Sequence, residues 1–217
     1  MYIYQVIRDL LDKNINKYSY YIYGRILDVG SGSAKRYVKY FKKVEQYLTL
    51  DINPDNKPDI IGDAEEIPAK ENSFDSIICT QVLGDILFPD KAIKEFYRVL
   101  KPGGAVLLTE GFIDELHGEP IDYWRFTPYG LKALFEKNNF EVLKVEMLGG
   151  IFSVASQMFS RYLINTFLLY EHKIWGKFFS SLFFVTGKTA IWLDSKINNQ
   201  ANKKIGLDIL IIAKKSD

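Results

Sequence analysis

Apolar residues recur along this chain with two different periods, and segments of the two kinds alternate. Near the start, residues 3–17 place isoleucine, valine and leucine side chains on one helical face with charged side chains opposite, which predicts an amphipathic helix. Short, nearly continuous apolar runs further along predict strands. These predicted strands are RILDV (25–29), QYLTLDI (46–52), PDIIGD (58–63), SFDSIICTQVL (73–83), AVLLTEGF (105–112), FEVLKVEML (140–148) and GLDILIIAKK (206–215).

Segments with helical periodicity separate most of these strands. They predict helices at residues 33–44, 88–100 and 127–139, and two more at 151–171 and 173–198. Thr127 and Pro128 are the residue types expected at the N-cap and first position of a helix. Alternating strands and helices predict an α/β, Rossmann-like, doubly wound sheet of seven strands. We expect the last strand to be antiparallel, helices on both faces, and a helical insert before the final strand.

Composition narrows the class of protein. With 217 residues, 47% of them hydrophobic, the chain is long enough for one core, which predicts a single domain over 1–217 with an N-terminal helix and connector at 1–24. The formal net charge of +1 argues against a bulk electrostatic nucleic-acid binder. The single cysteine, Cys79, excludes an internal disulfide, and the N-terminus lacks a signal-peptide pattern, so we expect a cytoplasmic location.

The stretch LDVGSGSA ends the first strand with two spaced glycines, Gly30 and Gly32. A strand that leads into Gly-x-Gly and a helix is typical of a nucleotide site, although a simple tight turn would use the same residues. Asp51 stands at the end of the second strand, about 20 residues on, where a carboxylate binds ribose hydroxyls. Lys35 occupies the place of the third glycine of the dinucleotide fingerprint, which argues against NAD.

Four stretches in order resemble the motifs of one family. LDVGSGSA, LTLDINP, GDAEEIPAKENSFDSIICTQVL and FYRVLKPGGAVLLTEG are similar to those of class I S-adenosylmethionine (SAM)-dependent methyltransferases of the methyltransferase type 11 kind. The resemblance covers roughly residues 25–148. It implies methyltransferase activity, SAM as the cofactor, and a set of cofactor-binding residues, namely Asp28, Gly30, Gly32, Asp51, Ile52, Asp63, Ala64, Thr80 and Gln81.

The resemblance assigns part of this set to the adenosine half of SAM. Asp51 would accept hydrogen bonds from both ribose hydroxyls, and Ile52 would pack on the adenine face. Asp63 would accept a hydrogen bond from the adenine amino group, with the Ala64 backbone N–H near a ring nitrogen. A loop-capping carboxylate is the alternative for Asp63.

The other implied residues belong to the methionine half. Gly30 and Gly32 would let the backbone pass close to it, and Thr80 and Gln81 would line its end. Asp28 would steady the glycine loop or meet the methionine ammonium group through water.

Two departures from the family pattern stand in these motifs. Ala34 replaces a glycine that family members usually carry. Gly84 and Asp85 replace a Glu-His pair that many relatives have after the fourth strand. Asp85 either takes over the role of that histidine or lies on the surface.

The segment GFIDELHGEPIDYWRFTPYGL (111–131) contains most of the residues expected to contact the methyl acceptor. Methyl transfer to a hydroxyl needs alignment and usually a general base. His117 is the candidate base, and Asp85 is the second candidate catalytic residue. Tyr123, Trp124 and Arg125 are the candidate substrate-binding residues, because aromatic faces and a forked cation suit a sugar and its substituents. The segment resembles one in methyltransferases associated with surface polysaccharides.

A structural interpretation of the same segment stays open. In it Tyr123 and Trp124 belong to the core, and Arg125 pairs with Asp122. The acidic residues show no recognisable metal-ligand spacing, and we expect no metal.

Residues 150–205 form an aromatic, lysine-containing insert. Lys173, Lys177 and Lys188 fall on one side of the predicted helix over 173–198, and charges interrupt every apolar run before it reaches the length of a bilayer. Three interpretations stay open: a lid that adds core, a contact in a homodimer, or an element lying in a membrane interface as a peripheral contact. His172, at the helix junction, is expected to be structural.

The sequence therefore predicts a SAM-dependent methyltransferase that acts on a hydroxyl of a sugar, a glycan or another small hydroxylated acceptor, with no nucleic-acid partner. The alternatives are a lipid or quinone methyltransferase that uses the aromatic insert, and a SAM-binding protein without catalysis.

Overall fold

The structure, a computed structural model, describes residues 1–33, 35–197 and 199–216. Its strands are β1 Gly24–Val29, β2 Val44–Asp51, β3 Ile60–Ile61, β4 Phe74–Thr80, β5 Leu100–Gly111, β6 Phe140–Leu148 and β7 Asp208–Lys215. Within the described residues they form one seven-stranded sheet in the order β3-β2-β1-β4-β5-β7-β6. The predicted α/β class, with seven strands and an antiparallel last strand, is confirmed.

The centre of the sheet is parallel and buried. β1 pairs in parallel with both β2 and β4, and β4 pairs in parallel with β5. The apolar run in β4 is fully buried at Ile77, Ile78 and Cys79. From β1 the chain proceeds outward to β2 and β3 and then returns to β4 on the other side of β1. This reversal at β1 and β4 opens a crevice at the carboxyl ends of the strands, where α/β proteins bind ligands.

The α-helices begin and end close to the predicted positions. They are α1 Val6–Tyr18, α2 Pro89–Val99, α3 Pro128–Lys137, α4 Ile151–Thr166 and α5 Lys173–Lys196. The predicted N-cap of α3 is confirmed, because Thr127 Oγ1 accepts a hydrogen bond from the Gly130 N–H at 3.0 Å. Thr127 and Pro128 thus begin α3 through local chemistry alone.

The prediction of a helix at residues 33–44 is wrong. In residue 33 and residues 35–43 the structure has turns, bends and one short 3-10 helix, Val38–Tyr40, while Ala34 lies outside the described residues and Val44 begins β2. Lys35 is bound to the Tyr47 carbonyl at 3.2 Å and to the Asp59 carboxylate at 2.8 Å. These contacts with the β2 side of the sheet hold the segment in turns, so tertiary contacts override its helical periodicity.

The described chain packs as two compact units. The helical unit comprises Met1–Lys13, Phe112–Glu115 and Met147–Asp208, and the sheet unit comprises Asn14–Gly111, Leu116–Glu146 and Ile209–Asp217. The prediction of a single domain is not decided by this division.

In the helical unit, α4 and α5 pack side by side. The Asp194 carboxylate of α5 accepts hydrogen bonds from the N–H groups of Gly150, Phe152 and Ser153 at 2.8 to 3.2 Å. This carboxylate satisfies free donors at the N-terminus of α4, a position that also favours negative charge. Among the described helices, none is long and apolar enough to cross a membrane.

Candidate cofactor and acceptor site

A pocket of about 440 Å³ lies in the sheet unit at the carboxyl ends of β1, β2 and β4. Because parallel strands end at the same edge of a sheet, residues far apart in the chain meet there. The pocket brings together most of the predicted site residues, namely Gly30, Gly32, Asp51, Ile52, Asp63, Ala64, Gln81, Asp85 and Tyr123. The predicted residues outside its lining are Asp28, Thr80, His117, Trp124 and Arg125.

Gly30 and Gly32, in the loop after β1, differ in what a larger side chain would contact. Both have left-handed backbone angles, with φ of +66° at Gly30 and +59° at Gly32. A Cβ at Gly30 would lie 2.4 Å from Val82 Cγ2, whereas a Cβ at Gly32 would meet nothing within 4 Å. Gly30 therefore allows close packing inside the protein, while Gly32 leaves open space in the pocket wall.

Asp51 connects the glycine loop to the end of β2. Its Oδ2 accepts a hydrogen bond from the Gly32 N–H at 2.9 Å, and its Oδ1 accepts one from the Asn53 N–H at 2.8 Å. The side chain is buried and still lines the pocket. Since each carboxylate oxygen has a further lone pair, Asp51 retains acceptor capacity for ligand hydroxyls.

The wall formed by residues 52 and 62–65 suits a flat, mostly apolar group. Ile52 lines the pocket and is 68% exposed, whereas Ala64 is buried. Asp63 Oδ1 accepts a hydrogen bond from the Glu65 N–H at 2.9 Å. Asp63 thus has the loop-capping role of the alternative interpretation and lines the pocket as well.

Asp28 is a buried carboxylate near the end of β1 that lies outside the pocket lining. It is 2% exposed, and its Oδ2 accepts a hydrogen bond from the Tyr47 hydroxyl at 2.7 Å. Burial raises the pKa of Asp28 to about 7, although the Tyr47 hydrogen bond acts in the opposite direction. Asp28 does not line the pocket, and its two predicted roles, steadying the glycine loop or meeting the methionine ammonium group through water, stay predictions.

At the end of β4 the chain turns sharply into the pocket wall. Gln81 has φ of +59°, and its N–H donates to the Thr109 carbonyl at 2.9 Å. The Gln81 Nε2 also donates to Thr109 Oγ1 at 3.2 Å. Gln81 therefore lines the pocket in a fixed orientation, while Thr80 remains within the sheet opposite Thr109.

The candidate catalytic residues lie next to each other. His117 Nε2 is 3.7 Å from Asp85 Oδ1, which is longer than a hydrogen bond. On the other side of the ring, Arg125 Nη2 is 3.3 Å from His117 Nδ1. The Asp122 carboxylate lies near the same nitrogen, with 3.6 Å between Oδ2 and Nδ1. Burial raises the pKa of Asp85, and nearby His117 acts against that rise.

Arg125 and Asp122 form an ion pair within residues 117–125, which we call the acceptor segment. The guanidinium binds both carboxylate oxygens of Asp122, with 2.8 Å between Nη2 and Oδ2. This bidentate pair lowers the pKa of Asp122 to about 2. Asp122 Oδ2 also accepts a hydrogen bond from the His117 N–H at 2.9 Å, which ties the two ends of the segment together.

Glu110 is a site residue that sequence reasoning missed. Its carboxylate is 4% exposed and accepts hydrogen bonds from the N–H groups of Gly84 at 2.9 Å and Gly111 at 3.0 Å. Burial raises its pKa to about 7. The sequence did contain a signal for Glu110, namely an acidic residue at the end of the apolar strand LLTEG. A buried charge is costly unless it is hydrogen-bonded, so such a residue is expected to have a specific role.

Gly84 explains one departure from the family pattern. Its carbonyl accepts hydrogen bonds from the N–H groups of both Tyr123 and Trp124 at 3.0 Å. A Cβ at Gly84 would lie 2.9 Å from the Trp124 carbonyl oxygen and 3.0 Å from Glu110 Oε1. The close approach of the acceptor segment requires glycine here.

The aromatic pair of the acceptor segment is exposed, not core. Tyr123 is 43% exposed and Trp124 45% exposed, so that part of the structural interpretation is wrong, whereas the Arg125–Asp122 pair that it expected is present. Tyr123 lines the pocket, and Trp124 Nε1 donates to the Leu87 carbonyl at 3.3 Å.

Asp85, His117 and Asp122 could together offer ligand atoms to a cation. One atom from each lies within 4.8 Å of the others, and no other such group occurs in the described part of the chain. The Arg125 guanidinium occupies Asp122 and touches His117, so a cation would have to compete with it. The absence of a metal stays a prediction.

Part of the chain is similar to a known family model and to curated proteins. Residues 27–108 match the model of a methyltransferase domain family, Methyltransf_11. The demethylmenaquinone methyltransferase of Renibacterium salmoninarum is 32% identical over 96 residues, with 40% of each chain covered. The chain thus spans about 40% of the length of the curated relatives it matches first.

Solved structures share the fold over most of the chain. The [4+2]-cyclase SpnF aligns with a TM-score of 0.63 and 21% identity, covering 96% of this chain and 81% of that one. Phosphoethanolamine N-methyltransferase 2 of Haemonchus contortus, in complex with SAM, aligns with a TM-score of 0.55 and 20% identity, covering 90% and 49%. Since one of these proteins is a cyclase, similarity of fold alone does not determine the reaction.

Proposed function

We propose that the chain is a class I SAM-dependent methyltransferase with SAM as its cofactor, and that it transfers the SAM methyl group to a hydroxyl of a sugar, a glycan or another small hydroxylated acceptor. The observation that carries the proposal is the position of Asp85. Asp85 lines the same pocket as the cofactor residues, and its Oδ1 lies 3.7 Å from His117 Nε2.

Asp85 and His117 have the properties that proton removal from a hydroxyl requires. SAM, held by Asp51 and the Gly30–Gly32 loop, would supply the methyl group to the acceptor oxygen, which must lose its proton. The hydroxyl proton passes to the Asp85 carboxylate, whose raised pKa makes it a better base than an exposed aspartate. His117 lies beside this carboxylate, with 3.7 Å between Nε2 and Asp85 Oδ1.

The acceptor segment offers recognition groups beside this base. Tyr123 lines the pocket with an exposed ring, and Trp124 is exposed next to it. Aromatic faces stack on the apolar faces of sugar rings, while the polar rim of the pocket suits their hydroxyls. Arg125 acts as a positioning residue here, since its guanidinium is engaged by Asp122.

Methylation of a quinone precursor is the second candidate. The observation in its favour is that the matching curated relatives are demethylmenaquinone and ubiquinone/menaquinone methyltransferases. Their similarity covers 40% of this chain. The two candidates differ in the acceptor fraction that would carry the methyl group.

Turnover with methyl-labelled SAM tests the proposal. The protein is incubated with glycan and lipid extracts, and the label is followed into each. We expect label in hydroxylated glycan material, a loss of about 100-fold for Asp85→Asn, and a smaller loss for His117→Ala. Asp90→Asn is the matched control, because Asp90 pairs with Lys94 and Lys137 on the surface and does not line the pocket.

Each other outcome contradicts the proposal in its own way. Label confined to the quinone fraction would favour the second candidate. Intact SAM binding by calorimetry with no labelled product would indicate a binding protein. Full activity of Asp85→Asn would remove Asp85 as the base.

A further inference from the structure

The outward side of α5 is apolar where a surface helix is normally polar. The helix buries one stripe of mostly small residues, Gly176, Phe183, Gly187 and Ala190. The stripe on the opposite side is exposed, at 82% for Ile174, 61% for Phe178, 61% for Val185 and 56% for Trp192. We call these four residues the α5 outer face. Scattered apolar residues are ordinary on a surface, but large apolar residues that recur along one side of a helix are typical of an interaction site.

An open apolar groove of about 540 Å³ runs beside the α5 outer face, between α4 and α5. The Thr186 and Thr189 hydroxyls in this groove donate to carbonyls of their own helix, those of Leu182 at 3.1 Å and Val185 at 2.9 Å. The groove therefore suits an apolar chain better than a polar ligand. Its other lining residues include Phe159, Leu163, Leu182 and Leu193.

Positive charge concentrates in the same part of the chain. Residues 150–205 contain seven lysines and arginines and two acidic residues, a net charge of +5 in a chain whose total is +1. Two of these cations pair with carboxylates outside the range, Arg161 with Glu115 and Lys188 with Asp9. Lys173 and Lys177 are exposed one turn apart at the start of α5, beside the exposed Trp175–Phe178 ring pair. Of the two acidic residues, Asp194 already accepts hydrogen bonds from N–H groups at the N-terminus of α4.

We propose that the α5 outer face and the adjoining groove dock on the surface of a lipid bilayer that contains anionic headgroups. The aromatic stripe lies at the boundary between headgroups and acyl chains, and one lipid acyl chain enters the groove. The lysines extend to the phosphate layer, as long cationic side chains do at membrane interfaces.

The charge distribution favours a membrane over a second copy of the chain. In a two-fold dimer the same patch meets itself, so a surface with excess positive charge would face another surface with the same excess. Like charges across an interface oppose association. Anionic phosphates provide the complementary charge instead.

Vesicle flotation of the full chain without SAM tests this proposal separately from catalysis. The vesicles are phosphatidylcholine alone or with about one third phosphatidylglycerol. We expect binding to the anionic vesicles only, and a loss of about tenfold or more for Phe178→Ser/Trp192→Ser, which removes two interfacial aromatic rings. Lys173→Glu/Lys177→Glu should reduce binding by a similar factor.

Tyr129→Ser is the matched control, because Tyr129 is an aromatic residue of α3 that is 85% exposed outside the helical unit. It should bind vesicles like the wild type. All variants change exposed side chains, and unchanged thermal unfolding verifies that each is folded.

Failure of the wild type to float with anionic vesicles would overturn the proposal, as would equal flotation with phosphatidylcholine alone or unaltered binding by both double variants. Sedimentation without lipid identifies the rival. A dimer that Phe178→Ser/Trp192→Ser converts to monomer, without vesicle binding by the wild type, would make this face an interface between two copies.

Discussion

The Glu110 carboxylate accepts a hydrogen bond from the backbone N–H of Gly84, with 2.9 Å between Oε2 and N. The same Gly84 accepts hydrogen bonds at its carbonyl from Tyr123 and Trp124. One residue thus joins the end of β5, the turn after β4 and the acceptor segment. Asp85, the proposed base, is the next residue in the chain, so its position depends on this junction.

Gly84→Ala should disturb the acceptor segment more than the cofactor site. Gly84 has no left-handed φ, and the cost is steric, because the new Cβ would lie 2.9 Å from the Trp124 carbonyl oxygen. We expect the free energy of unfolding in urea to fall by about 1 to 3 kcal/mol. Methyl turnover should fall sharply while SAM affinity is largely kept. Gly130→Ala, at an exposed position of α3, is the control; an equal loss of SAM affinity and turnover would contradict the prediction.

Asp51→Ala should abolish SAM binding in calorimetry. The substitution removes the carboxylate expected to accept the ribose hydroxyls and also releases the Gly32 and Asn53 N–H groups. Hydrogen bonds to a charged group contribute about 1.5 to 3 kcal/mol each, so the loss of two corresponds to an affinity reduction of 100-fold or more. Asp55→Asn, an exposed carboxylate four residues away, should bind normally. Retained affinity in Asp51→Ala would remove Asp51 from the cofactor site.

The two glycines of the loop should respond differently to alanine. Gly32→Ala has open space for its methyl group, so we expect a folded protein that is less stable by about 1 to 2 kcal/mol from the left-handed backbone alone. Its SAM affinity should be clearly lower, because the methyl group occupies the pocket wall. Gly30→Ala adds a contact of 2.4 Å with Val82 Cγ2 and should lower the thermal midpoint much further. Normal SAM binding by Gly32→Ala would show that the cofactor does not approach this residue.

Asp28 should make stability depend on pH. Its pKa is raised to about 7 by burial, so between about pH 4 and pH 7 the native state binds more protons than the unfolded state. The corresponding stability is fully present below the unfolded pKa and is lost as pH rises through the folded pKa. Asp28→Asn keeps an acceptor for the Tyr47 hydroxyl and removes the titration.

Urea unfolding between about pH 5 and pH 8 measures this effect. The free energy of unfolding should decline with pH more steeply in the wild type than in Asp28→Asn. Glu110, whose pKa is also about 7, contributes equally to both proteins and so does not affect the difference. Parallel pH profiles would show that Asp28 titrates in the native protein as an exposed aspartate does.

Local patterns predicted most of the framework. β6 lies at residues 140–148 as its apolar residues indicated, and α3 begins after Thr127, because strand propensity and helix capping depend on neighbouring residues. The predicted helix over 33–44 failed because its decisive contacts are distant in sequence, with Lys35 bound at Tyr47 and Asp59. A periodic pattern contains no information about such contacts.

By itself, the sequence determined the α/β class, the order of the motifs and the residues available for the cofactor, since hydrophobic periodicity and glycine spacing are local properties. Only the tertiary structure decided which of those residues share a pocket. It also decided that Asp85 lines this pocket next to His117, and that Glu110 and Arg125 hold the acceptor segment in place. These pairings join β4, β5 and a loop that are separated along the chain. They arise only after the parallel strands bring their carboxyl ends to one edge of the sheet.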